Sequence, residues 1–136
     1  MIGYKDTPNN LILLKAIMSH TKLHSPSLPL DMGQFNTITE GKNTYQDELL
    51  ELFFVNASEC VAVMERNRSS SNDEMWKYSL AELRDISNSI GALELSKVCT
   101  IAEKTGASSE EERKKIISSV KLHIQRLQAF IRNTRY

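Results

Sequence analysis

The segment SNDEMWKYSLAELRDISNSIG, residues 71–91, decides the fold of this chain. Its apolar residues recur every three or four positions, which is the spacing of one face of an α-helix. The predicted buried stripe consists of Trp76, Leu80, Leu83, Ile86 and Ile90. Ser71 and Glu74 have the spacing of a capping box, and Gly91 supplies a turn or kink at the other end. The segment therefore predicts a long amphipathic helix.

The same periodicity continues on both sides of this segment. A preceding helix is predicted from about Tyr45 to Arg66, with a core face made of Leu49, Leu52, Phe53, Ala57, Cys60, Val61 and Met64. After Gly91, a further helix carries Leu93, Leu95, Val98, Cys99 and Ala102, with Gly106 as its C-cap. Ser108 and Glu111 are predicted to open the last helix as a capping box, ahead of Ile116, Ile117, Val120, Ile124, Leu127 and Ile131.

The N-terminal part has a different character. A first helix is predicted to begin at Pro8 and to end near Thr21, and the connector 23–30 that follows contains Pro26 and Pro29. Asp31 is expected to cap a short helix that Gly41 ends. We therefore divide the chain into residues 1–30, an N-terminal helix with a proline-containing connector, and residues 31–136, a helical bundle. The fold class is all-α, an antiparallel four-helix bundle with additional N-terminal helices.

Composition narrows the possible roles. Lys and Arg number 17 and Asp and Glu also number 17, so no net charge attracts the protein to nucleic acid or to anionic lipid. Cys60 and Cys99 lie among apolar residues at helical spacing, where a free thiol behaves as a small hydrophobe. No run approaches the roughly 20 apolar residues that span a bilayer. We expect a soluble protein of the cytoplasm.

The segment LAELRDISNSIGA, residues 80–92, resembles the signature of histidine-phosphotransfer (HPt) domains, typically Ala-His-x-Leu-Lys-Gly-x-Ser-x-x-Ile-Gly-Ala. The identical positions are Leu83, Ser87, Ile90, Gly91 and Ala92, and Arg84 replaces lysine conservatively. The flanking stretches 48–53 and 95–103 are also similar to the family, and the resemblance extends from about Asp31 to Ile131. It implies an HPt-like bundle.

Two departures from the signature fall where phosphoryl transfer would occur. Ala81 stands at the position of the phosphorylated histidine, and its methyl group has no nucleophilic nitrogen. Asp85 replaces a glycine one turn later, and its carboxylate would repel an incoming phosphoryl group. We interpret the chain as a naturally degenerate member of the family, with a binding role and no enzymatic activity.

The resemblance also implies a partner-binding face on this helix. Residues three, four and seven apart share one side of a helix, and around the degenerate position that side consists of Lys77, Tyr78, Ala81, Arg84, Asp85 and Asn88. In HPt proteins the corresponding surface contacts a response-regulator receiver domain, so a receiver domain or a histidine kinase is the expected partner. The alternative is that these are ordinary solvated residues. Tyr78 and Trp76 are expected to be core or core-edge aromatics.

Other candidate chemistry is weaker. His123 could be a displaced phospho-acceptor, although a structural histidine is the favoured interpretation. His20 and His24 have a spacing that can bind metal on a helix but lack a third ligand, so we expect no metal and no cofactor. The competing function is a helical-bundle adaptor for an unrelated protein. The chain could be a monomer, with its N-terminal helix packed on its own bundle, or a homodimer through that helix.

Overall fold

The computed structural model describes residues 28–69 and 73–135, and in this part of the chain α-helix is the only regular secondary structure apart from turns and bends. The helices are α1 (Met32–Ile38), α2 (Asn43–Arg66), α3 (Asp73–Ile90), α4 (Leu93–Thr105) and α5 (Glu110–Arg135). The all-α prediction is thereby confirmed. The helix predicted for residues 8–21 lies outside the described residues, as does Ser71 of the first capping box.

Helix α3 packs against both α2 and α4, and α5 covers the same two helices. Four of the five residues predicted for the α3 stripe are buried; Ile86 is only partly so. On α2, however, the prediction for Leu52 is wrong, because its side chain is 58% exposed whereas Leu50 is buried. Successive residues on a helix differ in direction by about 100°, so the run Leu49–Leu52 cannot all face the core. The sequence pattern selected the wrong leucine.

The turn after α3 brings the beginning of α1 close to it. Gly91 has a φ of +89°, and a Cβ atom there would lie 3.2 Å from the carbonyl oxygen of Asp31. The Asp31 amide donates to the Gly91 carbonyl at 2.8 Å. The Asp31 side chain accepts from the amide of Gln34, as predicted for the N-cap of α1. Gly91 therefore permits both the turn and the docking of α1.

The helix termini near α5 were predicted with one error. Gly106 is the C-cap of α4 in the left-handed conformation, as expected. The capping box of α5 is formed by Ser109 and Glu112 and not by Ser108 and Glu111: the Glu112 amide donates to Ser109 Oγ at 3.1 Å, and Glu112 Oε1 accepts from the Ser109 amide. Two serines precede three glutamates here, so the sequence spacing fits either register.

A buried arginine connects the start of α5 to the start of α3. The Arg113 side chain is 1% exposed. Its Nε donates to the carbonyl of Ala107 at 3.2 Å, its Nη1 to the carbonyl of Asn67 at 2.8 Å and its Nη2 to the carboxylate of Asp73. The guanidinium also lies 4.9 Å from the centre of the Trp76 ring. The Arg113 side chain therefore holds together the turn after α2, the turn after α4 and the first turn of α3.

Replacing this arginine should destabilise the fold. In Arg113→Met the carbonyls of Ala107 and Asn67 lose their donor inside the protein, which we expect to lower the free energy of unfolding by about 3 kcal/mol. Urea denaturation measures the change. The control is Lys114→Met, a neighbouring exposed position that should stay close to wild type. Equal stability of the two variants would contradict the role assigned to Arg113.

Candidate partner-binding face

All six residues predicted for the partner-binding face lie on α3, and we call this set the Ala81 face. Four of its side chains are exposed and two are partly buried, namely Ala81 and Arg84. Tyr78 is 64% exposed, so the prediction of a core-edge tyrosine is wrong, whereas Trp76 is buried as expected. Tyr78 points away from the core because it is two residues, or about 200°, from Trp76 on the helix. The helix therefore presents an aromatic side chain to solvent.

The guanidinium of Arg84 is held between two carboxylates. Its Nη1 donates to both carboxylate oxygens of Glu103 on α4, at 2.6 and 2.8 Å. Its Nε and Nη2 donate to one oxygen of Asp85, at 3.1 and 3.0 Å. These contacts with Asp85 and Glu103 raise the pKa of Arg84 above its ordinary value. The positive charge at the centre of the face is consequently offset by two negative ones.

Glu103 was not among the residues predicted for this site. It lies 19 positions after Arg84 and on another helix, so no helical spacing connects the two. The pair forms because α3 and α4 pack side by side. Only the stretch 95–103, which resembles the HPt family, includes Glu103, and it carries no indication of a partner for Arg84.

Residue 81, where the HPt signature has its histidine, is chemically inert in this chain but accessible. Ala81 is partly buried, and its methyl group offers no proton acceptor or nucleophile. Asp85 lies four positions after Ala81 on the same helix. Its side chain is 70% exposed and pairs with Arg84. The face can therefore contact a protein surface, but it cannot form a phosphoryl bond at residue 81.

Asn88, at the end of the Ala81 face, is tied to α1. The side-chain amide of Gln34 donates to the backbone carbonyl of Asn88 at 2.8 Å. The Asn88 side chain itself remains exposed. The short helix α1 therefore fixes the C-terminal end of the face without covering it.

A small cavity adjoins Lys77 between α3 and α4. It measures about 160 Å³, and its lining residues are Trp76, Lys77, Leu80, Ala102, Glu103, Gly106 and Ala107. Small-molecule sites usually occupy 300–1,000 Å³. The cavity is below this range.

His123 belongs to α5, and its side chain is buried inside the protein. It is 2% exposed, and its Nδ1 is 2.8 Å from the carbonyl oxygen of Ser119, so Nδ1 carries the proton that is donated. Burial lowers the pKa of His123 below its ordinary value of 6.5, and Arg126 acts in the same direction, while the Ser119 carbonyl and Glu94 oppose the change. The ring supports the interior and is inaccessible to a docked phosphoryl donor.

The lowered pKa of His123 predicts a loss of stability in acid. The unfolded chain takes up a proton as the pH falls through about 6.5, whereas the folded chain resists it until a lower pH, so stability present above 6.5 declines below it. His123→Gln should lose less stability than wild type between pH 7.5 and 5.5. Urea midpoints at both values test this. An equal decline in the two proteins would show that another group is responsible.

Neither cysteine is suited to nucleophilic chemistry. Both thiols are free and buried. Burial, followed by the charges of Glu82 and Glu59, raises the pKa of Cys60 to about 11, and burial also raises the pKa of Cys99. Because the thiolate is the reactive form, both side chains stay unreactive near neutral pH.

The described residues contain neither a cluster of metal ligands nor a membrane-spanning helix. No group of three or more His, Cys, Asp or Glu side chains there is arranged to hold a metal ion. His20 and His24 lie outside this part of the chain. Among the described helices, none is long and apolar enough to cross a membrane.

A scan against models of protein families gave no match, and a search of curated proteins gave none either.

Proposed function

We propose that this chain is a pseudo-HPt protein, in which α2–α5 form an antiparallel four-helix bundle of the HPt kind. Its Ala81 face binds a response-regulator receiver domain without accepting phosphate. It thereby competes with authentic phosphotransfer proteins or modulates the receiver. The observation that carries the proposal is that Ala81 and Arg84, the positions equivalent to the family's histidine and lysine, lie together on the accessible side of α3.

The residues that match the signature support the resemblance in fold. Leu83, Ser87 and Ala92 have no exposed surface, Ile90 is 2% exposed and Gly91 is buried. Burial of all five is expected if they are required by helix packing and by the turn. The substituted positions Ala81 and Asp85, by contrast, are reached by solvent. The interior of the signature is retained, and the change falls on its surface.

The properties of the Ala81 face suit a transient protein contact. It combines an exposed aromatic ring at Tyr78 with charged side chains at Lys77, Arg84 and Asp85. Tyr and Arg are the residue types most enriched among residues that contribute strongly to binding. Signalling contacts of this kind bury less than about 1,200 Å² and have modest affinity. Loss of one central side chain should then be measurable.

The protein should not accept phosphate. Incubation with a phosphorylated receiver domain should leave wild type unlabelled, because residue 81 has no imidazole and His123 is buried. Ala81→His alone should label weakly, because Asp85 repels the phosphoryl group. Ala81→His combined with Asp85→Ala should label faster than Ala81→His alone. Radiolabel transfer measures all three proteins.

Two results would contradict this account. Acid-labile phosphate on wild type would show that another histidine accepts the group. Rapid labelling of Ala81→His, unchanged by the additional Asp85→Ala substitution, would show that the carboxylate does not hinder transfer.

Removal of the central cation should weaken receiver binding. Arg84→Gln leaves the buried neighbours Leu80 and Leu83 intact, and we expect it to raise the dissociation constant about fivefold to tenfold, which is the loss of one interface contact of about 1 kcal/mol. Isothermal titration against the receiver domains of the same organism measures the change. Lys114→Gln on α5, a matched exposed cation, should bind as wild type does.

The competing function is an adaptor that uses a different surface. Exposed apolar side chains on α2 favour it, namely Tyr45, Leu52 and Val55. If no receiver domain binds, or if Arg84→Gln binds as wild type does while Leu52→Gln abolishes binding, the adaptor replaces the pseudo-HPt proposal. Circular dichroism of each variant separates a lost contact from a lost fold.

A further inference from the structure

Helices α1 and α2 form a shallow groove at the C-terminal end of α1, the end opposite its N-cap Asp31. The groove measures about 310 Å³ and is lined by Ile38, Thr39, Tyr45, Glu48, Leu49 and Leu52. Three of these are large apolar side chains with unusual exposure: Leu52 at 58%, Tyr45 at 46% and Ile38 at 45%. Grouped exposed apolar side chains mark a contact surface.

The charge of α2 restricts what the groove can bind. Between Asn43 and Met64 the helix has no Lys, Arg or His, and its acidic residues are Asp47, Glu48, Glu51 and Glu59. The cation next to the helix, Lys42, is paired with Glu40 at 3.3 Å and lies over the Tyr45 ring. The groove is therefore complementary to an apolar helix with a basic edge.

The N-terminal segment of this chain has that chemistry. No Asp or Glu occurs between Thr7 and Leu30. The predicted helix over residues 8–21 places its apolar residues on one face, namely Leu11, Leu14, Ile17 and Met18. Lys15 follows Leu11 by four positions and so adjoins the apolar face, and Lys22 comes directly after the last residue of the predicted helix.

The chain connection allows this segment to reach the groove. Leu30, 1% exposed, and the Asp31 amide anchor the beginning of α1 against Gly91. The groove begins at Ile38, the other end of this seven-residue helix, at a distance of roughly 10 Å along the axis. Residues 22–30 can span roughly 30 Å when extended. The segment can therefore reach the groove without crossing the bundle.

We propose that residues 8–21 dock as an amphipathic helix in the groove of their own chain. Their apolar face covers Ile38, Tyr45 and Leu52, and Lys15 and Lys22 face the carboxylates of α2. This contact is independent of the proposed receiver binding, because the groove is formed by α1 and α2 and not by the Ala81 face. It gives the N-terminal segment an intramolecular binding site.

Zero-length cross-linking of the full-length protein tests the proposal. A carbodiimide condenses a lysine amine with a carboxylate, with loss of water, only where the two groups touch. We expect an amide between Lys15 or Lys22 and Glu48, identified by mass spectrometry. An equal mixture of ¹⁴N- and ¹⁵N-labelled protein distinguishes links within one copy from links between copies.

Matched variants make the result specific to the groove. Leu52→Gln and Tyr45→Gln alter its lining and should abolish the link. Val55→Gln should retain it, because Val55 is 52% exposed on the same helix but does not line the groove. Circular dichroism verifies that each variant is helical. Links only between differently labelled copies, absence of the link in wild type, or a link unaffected by both groove variants would each overturn the proposal.

Discussion

The buried guanidinium of Arg113 is the contact on which the arrangement of the helices depends. It satisfies carbonyls from the turn after α2 and the turn after α4, and it pairs with Asp73 in the first turn of α3. A buried charge is stable only when its donors are satisfied. Since α3 also carries the Ala81 face, the Arg113 side chain holds the beginning of the helix that presents this face. The guanidinium also lies over the ring of Trp76, a buried residue of the same helix α3.

Much of the fold follows from the sequence because it depends on short-range patterns. The spacing of Leu80, Leu83 and Ile90 determines which side of α3 is buried, and Gly106 marks the end of α4, since both are properties of a single helix. The errors arise because a short-range pattern does not show how one helix packs against another. Leu52 was assigned to the core because its spacing of three from Leu49 fits the helical period. Only the packing of α2 against its neighbours selects Leu50.

The candidate site was predictable only in part, for a related reason. The position of its residues on one side of α3 is a consequence of helix geometry and was predicted. The electrostatic state of Arg84 depends on Glu103, which a different helix contributes, and no pattern within α3 indicates it. The role of Arg113 is equally hidden, because an arginine in the charged first turns of α5 resembles a solvated residue until its partners on other segments are known.

The separation of buried and exposed positions within residues 80–92 bears on the proposed pseudo-HPt role. The departure from the signature at Ala81 costs the helix nothing, because alanine has the highest helix propensity. Asp85, placed one position after Arg84, gains an ion pair on the surface, where such pairs contribute little to stability. Neither change affects the packing of Leu83 or Ser87. Residues 81 and 85 can therefore differ from the HPt signature without a change in the packing of α3, which the proposed pseudo-HPt role requires.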